Sequence, residues 1–183
     1  MMRKTLLRRI PAALAALAVV VAANVLGAPQ AWARSVGPGP FTIENDHSHL
    51  CVDVAYGSLS SGARVQQWNC YGGTPERWRF EYYGSVAGGY YYRVVNVNSG
   101  KCLEVRDGYT QTGGIIEQYD CWNGPMQLWT PRDAPQQNSV WLVNRNSGKC
   151  LDDTGWSTSP GSSLQQVDCG NYRAQTWQMH QVV

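Results

Sequence analysis

The chain has 183 residues, 15 of them basic and 13 acidic, for a formal net charge of +2, and 43% are hydrophobic. No basic patch suited to nucleic acid stands out, which argues against that class of partner. Ten tyrosines against two phenylalanines suit half-exposed packing and binding surfaces more than a large dry core.

Residues 1–33 read as an export signal. Arg3, Lys4, Arg8 and Arg9 make a basic start, an Ala/Val/Leu-rich run from about Ala12 to Leu26 follows, and Ala31-Trp32-Ala33 has the small-x-small form of a cleavage site. The apolar run falls short of the roughly 20 residues a spanning helix needs. The expectation is a secreted, extracellular protein with no membrane span in its mature form. Cleavage after Ala33 removes four basic residues and no acid. The remaining 150 residues then hold 11 basic against 13 acidic groups, enough chain for one domain with a core. The Gly/Pro-rich segment Arg34–Pro40 reads as a flexible leader.

From there the chain repeats itself. Cys51 and Cys70, Cys102 and Cys121, Cys150 and Cys169 are each 19 positions apart, and Trp78, Trp129 and Trp177 each follow the second cysteine by eight. That is a threefold repeat of about 50 residues, with copies over about 41–88, 89–138 and 139–183. Eight before the first cysteine stand Ile43, Val94 and Leu142, and six before it Asn45, Asn96 and Asn144. Three before it come Ser48, Ser99 and Ser147. Before the second cysteine come Gly62, Gly113 and Gly161 at eight, Val65, Ile116 and Leu164 at five, and Gln67, Gln118 and Gln166 at three. Short apolar runs bounded by Gly, Asn and Ser are strand and turn signals, about four strands per copy. Tyr90–Val95 is the clearest strand, and Asn98-Ser99-Gly100-Lys101 and Asn146-Ser147-Gly148-Lys149 read as hairpin turns. In an exported chain an even cysteine count reads as a disulfide framework. The repeat favours pairing within each copy: Cys51–Cys70, Cys102–Cys121 and Cys150–Cys169. Zinc is the alternative, and the absence of close Cys-x-x-Cys pairs counts against it.

Each copy ends in Glu76-Arg77-Trp78, Gln127-Leu128-Trp129 or Gln175-Thr176-Trp177. With Cys51-Val52-Asp53-Val54 and Cys102-Leu103-Glu104-Val105, this resembles the Q-x-W repeat of the ricin B-type lectin family, over residues 41–183. The resemblance implies an all-β fold, a β-trefoil of three homologous repeats each with an internal disulfide, similar to carbohydrate-binding modules of secreted microbial glycosidases. It also implies that Trp78, Trp129 and Trp177 are core and that Gln127 and Gln175 support turns.

The family's sugar site uses an Asp two after the first cysteine, a Gln four before the second, an aromatic two before the second, and an Asn just before Q-x-W. Carboxylate and amide grip vicinal hydroxyls, and the ring packs on the apolar face of the pyranose. The first repeat supplies Asp53, Gln66 and Trp68, with Pro75 at the Asn position. The second supplies Glu104, Glu117 and Tyr119, with Met126 at the Asn position and Asn123 as a substitute amide. The third supplies Asp152 and Gln165, but Val167 replaces the ring and Ala174 the Asn. No repeat is complete, and the first keeps most.

The function implied is a secreted, non-catalytic, lectin-like carbohydrate-binding trefoil for galactose- or xylose-type glycans. The alternative is a protein-binding trefoil, a recognition subunit or inhibitor with degenerate sugar sites, using exposed Trp122, Trp156, Tyr56 and Tyr109. An enzyme is not expected. Glycoside hydrolysis needs two opposed acids across a cleft, whereas Asp53, Glu104 and Asp152, like Asp120 and Asp168, recur as parts of the repeat. No cofactor or metal is implied. His47-x-His49 reads as turn histidines, and Asp152-Asp153 as a turn.

Overall fold

The computed structural model describes residues 34–37, 39–86 and 89–183. The export segment at 1–33 lies outside the described residues. Among the described residues, twelve strands are interspersed with six short 3-10 turns. The first repeat contains β1 (Pro40–Asn45), β2 (Cys51–Val54), β3 (Ala63–Trp68) and β4 (Trp78–Val86). The second contains β5 (Gly89–Asn96), β6 (Cys102–Val105), β7 (Gly114–Tyr119) and β8 (Leu128–Asp133). The third contains β9 (Ser139–Asn144), β10 (Cys150–Asp153), β11 (Leu164–Val167) and β12 (Trp177–Gln181).

Antiparallel pairing joins β1 to β4, β4 to β5, β5 to β8, β8 to β9, β9 to β12 and β12 back to β1, a closed six-stranded barrel. The inner hairpins β2–β3, β6–β7 and β10–β11 form a cap over one end. Strand β7 joins both other hairpins, and a Gln66–Ser163 bridge completes the triangle. This is the β-trefoil. Closure leaves no free edge on the barrel for another chain to extend.

Inward-facing residues at period 2 build the core. Ile43, Val94 and Leu142 from the barrel, Val52, Leu103 and Leu151 from the hairpins, and the three Q-x-W tryptophans have no accessible surface. Each indole N–H finds a carbonyl: Trp78 on Val52 O at 2.9 Å, Trp129 on Leu103 O at 2.9 Å, Trp177 on Leu151 O at 3.1 Å. The core reading of these tryptophans holds, and their one polar atom is satisfied as burial demands. The disulfides join Cys51–Cys70, Cys102–Cys121 and Cys150–Cys169, which removes the zinc alternative.

The other register positions are staples between repeats. Asn45, Asn96 and Asn144 donate to Ala174 O, Pro75 O and Met126 O of the neighbouring copy at 2.8–3.0 Å, while their Oδ1 atoms cap the following turn. Ser48, Ser99 and Ser147 donate to Gln67, Gln118 and Gln166 at 2.6–2.8 Å. Those glutamines then donate across to Ser157 O, Ser58 O and Tyr109 O.

Two expectations change and one holds. The leader is tied to the barrel: Arg34 N–H donates to Pro131 O at 2.8 Å, Val36 N–H to the Tyr92 hydroxyl at 3.0 Å, and Val36 packs on the core. The turn reading of His47 and His49 holds: they lie around the tight turn after β1 and diverge, His47 onto the Trp156 ring and His49 to Glu44. Asp152 and Asp153 lie in strand β10, not in a turn.

Candidate functional site

The cap hairpins carry the residues predicted to bind sugar, because cross-strand pairing brings the position two after the first cysteine opposite the position four before the second. Asp53 faces Gln66, Glu104 faces Glu117 and Asp152 faces Gln165. The turn after the second cysteine is held by the first residue of each Q-x-W motif. Gln127 Oε1 accepts from Trp122 N–H at 3.0 Å, and Gln175 Oε1 from Gly170 N–H at 2.8 Å. Glu76, fully buried, accepts from the Tyr71 and Gly72 N–H groups. The turn-supporting role of Gln127 and Gln175 is therefore observed.

In the first repeat Gln66 Nε2 donates to Asp53 Oδ1 at 3.1 Å, and the Tyr71 hydroxyl donates to Asp53 Oδ2 at 3.2 Å. Arg64 in turn donates to Gln66 Oε1 at 2.9 Å and fixes the amide's orientation. These groups line a cleft of about 350 Å³ with Tyr56, Trp68 and Gly161. Trp68 is 41% exposed, and its ring lies 3.4 Å from where a Cβ on Gly161 would stand, so the third repeat supports it. Burial pushes the Asp53 carboxyl up, and the Glu76 charge adds to this, while the bonds from Gln66 and Tyr71 oppose it. Burial of its hydroxyl and the Asp53 charge push Tyr71 up to about 12. A carboxylate has about four lone-pair directions; two of those of Asp53 are used here. The two amides near the missing Asn are committed, Asn96 to Pro75 O and Asn98 to Gly57 O and Thr74.

The second repeat sets two buried acids side by side. Glu104 accepts from Gln127 and from Trp122 Nε1, and Glu117 pairs with Arg106. Burial raises the Glu104 carboxyl despite those two bonds, with Glu117 adding to the shift. Tyr119 is half-exposed, but Asn123 Oδ1 accepts from Arg93 on β5, so the structure shows no bond from it to the acids. A second cleft of about 330 Å³ opens beside Arg106, Asp107, Tyr109 and Ile115; neither Glu104 nor Glu117 lines it, but Arg106 links it to Glu117.

In the third repeat Gln165 donates to Asp152 at 2.8 Å, and burial raises the Asp152 carboxyl. Val167 offers no ring. Trp156 and Tyr172 do: their ring centroids lie 5.7 Å apart, edge to face, both about half exposed. The sequence singled out Trp156 as an exposed aromatic but missed its partner Tyr172, and it missed Arg64, Tyr71 and Arg106. Tyr71 and Trp122, each one after the second cysteine, shared a register that signalled them; the arginines stand at unrelated positions. Among the described residues no group of three or more His, Cys, Asp or Glu is placed to hold a metal, and no helix is long and apolar enough to cross a membrane.

A threefold barrel capped by hairpins that present an acid–amide pair beside aromatic rings is the architecture of β-trefoil lectins. Residues 28–87, 76–167 and 136–182 match the family described as Ricin-type beta-trefoil lectin domain-like, and the chain belongs to that family. The designed threefold-symmetric protein ThreeFoil is 33% identical, with a TM-score of 0.75 over 79% of this chain and 99% of its own. The exo-beta-1,3-galactanase 1,3Gal43A from Clostridium thermocellum is 29% identical, with a TM-score of 0.74 over 79% of this chain. The match spans only 30% of that galactanase. The Macrolepiota procera ricin B-like lectin, solved with lactose, shares the fold at 17% identity and a TM-score of 0.64, over 81% of this chain and 100% of its own.

Proposed function

We propose that this protein is a secreted, non-catalytic carbohydrate-binding module with its principal site in the first repeat. The observation that carries the reading is the Asp53–Gln66–Tyr71 hydrogen-bonded group beside half-exposed Trp68 in one cleft. The polar group offers directional partners to vicinal hydroxyls, and the indole offers a flat apolar surface to the C–H face of a pyranose. Galacto- or xylo-configured glycans are the proposed ligands, in line with the lactose bound by the M. procera lectin. Secretion is supported by six cysteines engaged in three disulfides, a framework that persists in oxidising compartments. The absence of catalysis is supported by the acids' engagement: Glu104 and Glu117, the two that face each other, are neighbours on one hairpin, each already bonded. Calorimetric titration with lactose and xylo-oligosaccharides tests the reading. Binding that disappears in both Asp53→Ala and Trp68→Ala supports it; no glycan bound at millimolar concentration overturns it.

One observation favours a protein-binding reading. Tyr82 and Tyr90 stand exposed on the long β4–β5 hairpin, in ring contact with each other at 6.4 Å, on the side away from the cap. Capture of one secreted protein, lost in Tyr82→Ser/Tyr90→Ser, is its test.

A further inference from the structure

Outward positions on the barrel strands alternate with core positions, and the pairing register gathers four arginines on one stretch of wall. Arg79 stands between buried Trp78 and Phe80 on β4, and Arg93 between buried Tyr92 and Val94 on β5. Arg93 lies opposite Glu81 on one side and Leu128 on the other. Arg132 on β8 lies opposite Trp141, and Arg145, just past β9, donates its backbone N–H to Leu128 O. The repeat does not call for these residues. In the other copies the place of Arg79 is taken by Thr130 and Gln178, that of Arg93 by Thr42 and Trp141, that of Arg132 by Glu81 and His180, and that of Arg145 by Asp46 and Val97. No scaffold role shared by the copies explains an arginine at any of the four places, yet the fold brings them onto one face.

Their charge is only partly answered. Glu81 pairs with Arg93 at 3.1 Å and with Arg79 at 3.6 Å. Among the described residues Arg132 and Arg145 have no carboxylate within ion-pair distance, whereas Lys101, Arg106 and Lys149 each have an acid of their own. Asp133 follows Arg132 but lies opposite inward-facing Val140, on the alternate side of the strand. The Arg145 guanidinium reaches across β8 to lie 4.9 Å over the Tyr91 ring of β5. That contact accounts for Leu128 and Thr130, outward residues of β8, being 1% exposed. A guanidinium stacked on a ring keeps its edge N–H groups for an acceptor in its own plane. Arg93 is held in turn by Glu81 and by Asn123 Oδ1 at 3.1 Å. Forks fixed in this way lose less freedom when they meet an anion.

We infer that this wall is an interaction surface separate from the cap, and that its occupant is an acidic glycan, a sugar chain bearing carboxylates or sulfates. Guanidinium forks bond both groups through paired N–H donors. The wall suits other anionic partners less well. Its outward apolar residues Val95, Leu128 and Val143 are buried, so it has no apolar face to enter a lipid surface. The Tyr91 ring is taken up by Arg145 and offers no platform on which unpaired bases could stack. The choice of a glycan over another polyanion rests on the carbohydrate-binding reading above; the cationic surface itself does not.

The test is calorimetric titration of the full chain with an oligogalacturonate, a heparin oligosaccharide, neutral lactose and xylotetraose, and a short DNA duplex, at about 50 mM and about 300 mM salt. An acidic glycan should bind at the lower salt, weaken at the higher, and still bind in Asp53→Ala/Trp68→Ala. Which of the two acidic glycans binds more tightly assigns the carboxylate or the sulfate. Arg132→Gln/Arg145→Gln should weaken that binding by about tenfold, the share of two exposed ion pairs, and leave neutral-sugar binding unchanged. Arg132→Gln alone keeps the Arg145–Tyr91 contact and should cost about threefold. Arg173→Gln removes a charge from the turn before β12 and should cost nothing. Neither acidic glycan bound at the lower salt, binding lost in Asp53→Ala/Trp68→Ala, equal losses in Arg173→Gln and the wall variants, or DNA bound as tightly as the glycans each overturns the wall. Acidic glycan bound by a chain that binds no neutral sugar overturns the first-cleft reading and leaves the wall standing.

Discussion

Replacing Asp153 with valine should stabilise the protein, and the gain should depend on pH. Strand β10 places Asp153 where β2 has Val54 and β6 has Val105, opposite Leu164 where they face Val65 and Ile116. It has no accessible surface, and neither carboxylate oxygen has a hydrogen-bond partner. Burial, with Asp152 adding to it, pushes the carboxyl from an ordinary 3.8 up to about 7; the Gln67 amide, near but outside bonding geometry, opposes this. Below pH 3.8 the group is protonated folded or unfolded and its ionisation costs nothing. Between 3.8 and about 7 the unfolded chain ionises while the fold keeps its proton, so stability falls as pH rises. Above that window the penalty is complete. At about 1.4 kcal/mol per pH unit the ceiling is about 4 kcal/mol, and relaxation around the charge leaves about 2–4. For a domain of this size that corresponds to about 5–15 °C in melting temperature. Urea unfolding of Asp153→Val and the parent at pH 4 and pH 8 is the assay. The stability difference should widen by about 2–4 kcal/mol between the two. A difference of equal size at both pH values would refute the argument, because Asp153 would then not be a buried acid that titrates on unfolding.

Three further outcomes are expected. Glu76→Gln installs the residue of the other repeats and removes a charge that raises Asp53; the pH midpoint at which glycan affinity is lost on acidification should move down, as read by titration across pH 3–7 with wild type in parallel. Gln118→Ala strips the buried bonds to Ser99, Ser58 O and Ser60 O and leaves partners unsatisfied, so it should cost about 2–4 kcal/mol by urea unfolding. Removing one bridge as Cys102→Ala/Cys121→Ala should cost about 3 kcal/mol for a loop of this length, with the trefoil's circular dichroism retained.

The fold was legible in this chain because symmetry wrote it three times. A cysteine, a tryptophan or an apolar residue recurring in register has one role to play, so the disulfide pairing follows from spacing, while the trefoil barrel follows from the resemblance of the Q-x-W repeats to the ricin B-type family. The same register marked Gln67, Gln118 and Gln166 as important without saying how, since their partners are backbone carbonyls in another repeat, which have no sequence signature. The site was legible in part. Asp53, Gln66 and Trp68 hold positions set by cross-strand pairing. Arg64 and Arg106 sit at unrelated positions, and only the fold shows each guanidinium beside the residue four before the second cysteine. Trp156 stood out as an exposed aromatic, but its ring contact with His47 joins residues more than a hundred positions apart.

The staples described between repeats all run in one rotational sense. Asn45 and Gln67 of the first copy reach the third, Asn96 and Gln118 of the second reach the first, and Asn144 and Gln166 of the third reach the second. That is the head-to-tail contact of a cyclic trimer, closed on itself, with the subunits tethered into one polypeptide. The first and last strands meet in the ring, Phe41 opposite Gln181 and Val182 N–H on Pro40 O. The ring therefore has no privileged starting point. The trefoil could be cut at the connection between its second and third copies and rejoined between β12 and β1, and each module would keep the same neighbour on either side. Each copy is then free to change its own rim without changing the joints that hold the assembly.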